Sequence, residues 1–148
     1  VYLEILLGLT AFFGAVGANM LLTDPSGEAA GIPTVYRDLL PVGDFLLPGL
    51  FLLVAYVAVP VFVGYGLITR REWGWTAPIE RRVGLHWSWA GVVGLALVML
   101  AWIGIEVVLF WSAPSDIMTN LWVLITALAA ALLIGTALPS VRRYCSAA

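Results

Sequence analysis

The sequence predicts an all-α protein, an integral membrane bundle of four transmembrane helices with both termini on the cytoplasmic side (N-in/C-in). Three observations predict it. Of the 148 residues, 62% are hydrophobic and 11% charged, and the mean hydropathy of +1.02 lies far outside the range of soluble chains. The apolar residues gather into four runs, about 2–22, 45–69, 85–111 and 118–138, each long enough at ~1.5 Å per residue to cross a ~30 Å hydrocarbon core. Six of the seven basic residues, all of them arginine, fall in connections that such a threading places on one side. A single membrane domain over 1–148 follows, because the connections leave no room for a soluble one.

The first run reads as a true span. It lacks the basic n-region of a secretory signal, exceeds the usual h-region and ends in "LLTDPSG", without a small-x-small cleavage site. Gly8, Ala11, Ala15 and Ala18 recur at helical spacing, with Gly14 and Gly17 beside them, a stripe that suits close helix packing within the chain. In the outer loop, 23–44, the segment "TVYRDLL" is bracketed by Pro33 and Pro41. Val35, Leu39 and Leu40 would share a face of a short helix there, acting as a surface connector or as a lid.

Asp44 before Phe45 is a good N-cap for the second run, and Pro48 falls in its first turn, where a missing N–H costs no bond. Pro60 sits inside the span. It predicts a kink that frees the carbonyl of Tyr56, making Pro60 and Tyr56 a candidate hinge. The loop at 70–84 carries Arg70, Arg71, Arg81 and Arg82, and the tail carries Arg142 and Arg143. By the positive-inside rule that side faces the cytoplasm, and the opposite side holds Arg37 with most of the acids. Trp73, Trp75, Trp87 and Trp111 fall at the ends of spans and read as interfacial anchors.

The third run contains "AWIGIEVVLFW", in which Glu106 is the one ionisable group. At 100° per residue Glu106 shares a face with Trp102, Met99, Leu95, Val92 and Ser88, while Ala90, Gly94, Ala101 and Gly104 lie opposite. The small-residue face is expected to pack inward, turning Glu106 away from the tightest contact. Three readings stand for this acid. It bends toward headgroup water or stays protonated; it is buried and pairs with a polar group at its depth, Asn19 first, with Arg37, Asp44 or Asn120 near; or it meets another subunit. A carboxylate inside a span is costly enough to attract functional attention. Glu4, at the far end of the first span, reads as an interfacial charge too distant to pair with it. Tyr56, Tyr65, Thr126 and Thr136 supply hydroxyls, which in membrane helices commonly bond their own backbone.

Counting excludes several chemistries. Cys145 is the sole cysteine and His86 the sole histidine, so no intrachain disulfide, thiol redox pair or cysteine metal cluster can form, and no metal or cofactor is expected. His86, beside arginines and tryptophans, reads as a headgroup contact. No basic patch suits nucleic acid. The partners that composition allows are membrane lipids and other copies or components of a membrane complex.

The segments "DPSG", "GIP", "DFLLPGL", "LAWIGIEVVL" and "LPSVRRY" resemble a group of small, uncharacterised four-helix integral membrane proteins of bacteria and archaea. That resemblance implies a multi-pass bundle in the cell membrane and carries over no catalytic residue. Small multidrug resistance transporters are similar in span count but use a carboxylate deep in the first helix, where this chain has Glu4 at the edge. DoxX-like proteins are similar in size, with no specific motif shared.

No nucleophile, base and oxyanion donors gather at one depth, as an enzyme would need. The expected function is that of a non-catalytic subunit, scaffold or binder of lipid or another hydrophobic ligand. The polar cluster to serve it is Glu106, Asn19, Asp44, Arg37 and Trp102. The alternative is an oligomeric transporter or channel using Glu106 and a Pro60 kink.

Overall fold

The computed structural model describes residues 2–113 and 115–146, and these are helical with no strand. Four helices are long and apolar enough to cross a membrane: α1 (Tyr2–Thr23), a continuous helix Leu46–Thr69, α6 (Trp87–Phe110) and α7 (Asp116–Ala137). The second of these is built from α3 (Leu46–Phe51), a π-helical segment (Leu52–Ala58) and α4 (Val59–Thr69). Three short helices complete the chain: α2 (Thr34–Leu39), α5 (Ala77–Val83) and α8 (Pro139–Cys145). The last two arise in segments read from sequence as loop and tail. Each opens on or next to a proline in its first turn, and α5 stops at Gly84 in the left-handed region.

The π-helical segment has a local cause. Pro60 has no N–H, and its ring would collide with the carbonyl of Tyr56 in a regular α-helix. Widening the preceding turn relieves the collision, and the N–H of Val59 accordingly donates to the carbonyl of Val54, five residues back. The kink expected at Pro60 is thus expressed as a change of helical register just before it.

The bundle consists of two helical hairpins. In the first, α1 lies along the whole of 46–69, packing on α3, the π segment and α4. The buried stripe of α1 is Leu3, Leu7, Thr10, Gly14, Ala18 and Leu21, whereas Gly8 and Ala15 are exposed. The small-residue stripe expected from sequence is therefore rotated. Its decisive member is Gly14, where an added Cβ would stand 2.5 Å from Cβ of Tyr56 and 2.7 Å from its carbonyl oxygen.

In the second hairpin α6 and α7 pack side by side, pinned by the Trp89 indole N–H donating to the carbonyl of Thr136 at 3.0 Å. The inward face of α6 is the one that bears Glu106: Ser88, Val92, Leu95, Met99 and Ile103 are buried, while Gly94, Ala101 and Gly104 are exposed. This reverses the expectation that the small residues pack inward. Large side chains make most of that inward face, with Ala96 buried among them and Gly91 of α6 close against Val63 of α4.

The hairpins meet at the end that carries Arg70, Arg71, Arg81, Arg82, Arg142 and Arg143. There α4 packs on α6, with the Trp87 ring against Gly66, where no larger residue fits. The Tyr2 hydroxyl donates to the carbonyl of Ala131 on α7 at 3.3 Å. The C-terminal helix is tied to the same end. The His86 N–H donates to the carbonyl of Cys145 at 2.7 Å, Arg70 donates to the carbonyl of Ser146 at 3.1 Å and lies over the Tyr144 ring, and the Tyr144 hydroxyl donates to the carbonyl of Leu67 at 2.9 Å. Burial pushes the Cys145 thiol above its usual range, so it is held as the unreactive thiol.

At the other end the hairpins are bridged by side chains and by the loop at 24–45. Tyr36 of α2 is buried, sets its ring edge-on against Phe110 and donates its hydroxyl to the carbonyl of Ala113. It takes the place expected for Val35, which is 44% exposed. Gly14→Leu is expected to destabilise the protein by about 3 kcal/mol, since the clash involves backbone. Gly8→Leu, where nothing lies within 4 Å, is expected to stay within ~0.5 kcal/mol. Thermal unfolding of the two variants in detergent checks the contrast.

Candidate functional site

Because the hairpins join mainly at the arginine-rich end, a cavity of about 300 Å³ remains between them toward the other. Its wall is apolar. Phe13 and Met20 of α1 and Ile117 and Leu121 of α7 line it on the side open to the surroundings, where each is exposed. The loop closes it at the end, with Ile32, Leu40 and Phe45 in the wall. Entry is thus lateral, between α1 and α7.

Beside Thr10, whose hydroxyl donates to the carbonyl of Leu6 at 2.8 Å, two polar residues belong to the wall. Glu106 lies ~6 Å before the end of α6 and is partly buried. Its Oε2 accepts from the Trp122 indole N–H of α7 at 2.9 Å, and the Trp102 indole flanks the same carboxyl group. Trp102 itself is fixed by stacking on Phe51, centroids 4.0 Å apart and planes 17° from parallel. The second group is Tyr56, ~15 Å along its helix from Leu46. Tyr56 is 4% exposed, and its hydroxyl has no hydrogen-bond partner among the described residues. Tyr56 and Glu106 both belong to the wall of the cavity. An unsatisfied buried hydroxyl costs ~1–3 kcal/mol and calls for an explanation.

Of the residues expected to form a polar cluster, the structure brings Glu106 and Trp102 together at the cavity. Asn19 is on an exposed face of α1, its carbonyl accepting from Thr23 Oγ1. Asp44 accepts from the N–H of Leu46 at 3.0 Å, serving the start of α3. Arg37 is on α2, with its carbonyl accepting from the Leu40 N–H. None of these three lines the cavity. Pro60 is buried behind Tyr56 in chain order and lines a smaller cavity with Glu4 and Tyr65.

Trp122 is the partner that sequence reasoning missed, yet a signal existed. In two antiparallel helices joined by a short turn, residues at similar distances from it come level, and Glu106 lies four residues before the end of α6 while Trp122 lies six after the start of α7. The role of the Tyr56 hydroxyl was hidden, because its register depends on the π-helical segment.

A second group of side chains serves the fold. His86 is buried and caps α6: Nδ1 lies 2.7 Å from Ser88 Oγ and accepts from the Ser88 N–H. It is therefore not the headgroup contact expected of it. Glu80 accepts from the Trp87 N–H at 3.2 Å and lies 4.0 Å from His86 Nε2. Trp75 and Trp111 are exposed, whereas Trp87 is buried under a layer of Phe62 and Trp73.

The arrangement can hold the polar end of an otherwise apolar molecule. It offers a carboxyl group with spare hydrogen-bonding capacity in a wall that holds no cation. No protein-family model, no curated protein and no solved structure matches this chain.

The cover over the cavity depends on Asp24, whose Oδ1 accepts from the Ser26 hydroxyl at 2.6 Å and whose Oδ2 accepts from the Ala29 N–H at 2.8 Å. The Ser26 hydroxyl first, and then the Ala29 N–H, hold its carboxyl below the ordinary value of 3.8. A depressed carboxyl contributes order that is present above 3.8 and lost as pH falls through its folded value. Protection of the 26–30 amides, with exchange rates divided by the intrinsic rate at each pH, is expected to fall as the Asp24 carboxyl protonates, and Asp24→Asn to remove that acid dependence.

Proposed function

We propose that this chain is a multi-pass membrane protein that binds a lipophilic molecule drawn sideways from the bilayer into the cavity between its two hairpins. The observation that carries this reading is a cavity of about 300 Å³ with an almost wholly apolar wall, into which Glu106 brings a carboxyl group and behind which the Tyr56 hydroxyl is buried unpartnered. Pockets of that size and lining suit small amphipathic ligands. A cavity meant to stay empty would be cheaper without either group.

The orientation belongs to the same proposal. Six arginines share one end of the bundle, and the positive-inside rule supports reading that end and both termini as cytoplasmic and the cavity as lying in the outer leaflet. Loop 24–45 then covers the ligand from the aqueous side. No nucleophile accompanies the carboxyl group, so the chain acts as a binder or as the ligand-holding subunit of a larger assembly. Transport by a multi-copy assembly hinging at Pro60 fits less well, because the wall on both sides of Glu106 is apolar and suits a hydrocarbon chain better than a hydrated ion.

Leu121→Trp places a larger side chain at the lateral opening while keeping a lipid-compatible surface. We expect it to cut co-purified lipophilic material, measured by mass spectrometry of the detergent-extracted protein, at least severalfold with folding unchanged. Equal material in wild type and variant would refute the lateral site. In intact cells, Arg71→Cys should escape an impermeant thiol reagent that modifies Val42→Cys.

A further inference from the structure

Resting on the multi-pass part of that reading and on none of the cavity, we propose that the connection between the second and third spans is a binding site for an anionic phospholipid of the surrounding bilayer. This connection folds back beside the bundle. The rings of Phe62, Trp73, Trp75 and Trp87 form one cluster in which every centroid lies within 6.4 Å of every other, and the Trp73 and Trp75 planes are within 18° of the Phe62 plane. Phe62 precedes the end of α4 by seven residues, ~10 Å of helix, so both indoles reach back along the span. Trp75 is 63% and Phe62 41% exposed, which leaves an open aromatic face at the headgroup boundary, where such rings are best accommodated. The fold-back is pinned by the Trp87 indole N–H, which donates to the carbonyl of Arg71 at 2.9 Å, and by the Thr76 hydroxyl, which donates to the carbonyl of Trp73 at 2.8 Å.

Helix α5 continues the same edge. Ile79 and Val83, one turn apart, are exposed, giving the helix the apolar side of an interfacial segment. Its charges divide by sign. The Glu80 carboxyl group turns into the protein, accepting from the Trp87 N–H at 3.2 Å and facing His86 Nε2 at 4.0 Å. Arg81 and Arg82, like Arg71 before them, are exposed, and among the described residues no oxygen accepts from their guanidinium groups. Glu72 is the one exposed acid between residues 70 and 84. Charge therefore selects the occupant. Guanidinium groups bordering an aromatic face match a phosphate with no ammonium of its own, and each can bind two phosphate oxygens at once. A zwitterionic phospholipid brings its own cation and gains less. The acyl chains continue along the lipid-facing side of α4, past Phe62.

The test is native mass spectrometry of the full chain released from nanodiscs that contain equal amounts of phosphatidylglycerol and phosphatidylcholine with the same acyl chains. Wild type should retain the anionic lipid over the zwitterionic one by at least about tenfold, and Arg81→Gln should lower that ratio about fivefold, the effect of one arginine at a charged membrane surface. The triple variant Arg71→Gln, Arg81→Gln, Arg82→Gln should erase the preference, and Arg37→Gln, at the other end, should leave it intact. Thermal unfolding of the triple variant in detergent should match wild type, because the guanidinium groups removed hold nothing in the fold. Equal retention of the two lipids by wild type, or a preference that survives in the triple variant, would overturn the site. Loss of the preference in Leu121→Trp would place the retained lipid in the cavity and overturn it as well. Failure of the cavity reading alone leaves the preference, and its dependence on the three arginines, unchanged.

Discussion

The close approach of the α1 backbone to Tyr56 at Gly14 is the constraint on which the rest of the structure depends. In a hydrocarbon setting helices gain little from hiding apolar surface, because lipid is as apolar as leucine, and association rests on close packing. Gly14 allows that packing by omitting the one atom that would meet Tyr56. With α1 seated along the whole second helix, the α6–α7 hairpin has its direct seam at the arginine-rich end, through Gly66 and Trp87 and through Tyr2 and Ala131. The cavity is what that asymmetry leaves over.

Pro60 contributes to the same place by a different route. Its missing N–H and the bulk of its ring widen the preceding turns into a π-helical segment, and Tyr56 lies within that segment. The changed stretch of backbone thus sets a buried phenol in the wall of a cavity to which a separate helix supplies Glu106. Segments of this kind are often found at functional sites. Here the register change and the unsatisfied hydroxyl coincide in one residue.

Most of the elements were legible in the residues, α5 and α8 excepted. The four spans, the helix at "TVYRDLL" and the grouping of six arginines at one end follow from run length, proline brackets and charge. Which face of each span turns inward was not. The spans are apolar all round, so the amphipathic signal that orients a helix in a soluble protein is missing. Small residues then give an ambiguous cue: Gly14 and Gly66 sit at tight contacts, while Gly8, Gly94 and Gly104 meet nothing within 4 Å. The same ambiguity concealed the inward turn of Glu106 and the burial of His86.

The sequence by itself determined the class of the molecule, since composition and run length leave no alternative to long apolar helices, and one cysteine and one histidine exclude whole chemistries by count. It also marked Glu106, because an acid among ten uncharged neighbours is visible without a fold. Only the tertiary structure decided that Trp122 is the partner of that acid, that Asn19, Asp44 and Arg37 lie elsewhere, and that the Tyr56 hydroxyl is buried without a bond. Those facts depend on helix rotation and on the register change before Pro60, which are set by contacts between residues far apart in the chain rather than by any local preference.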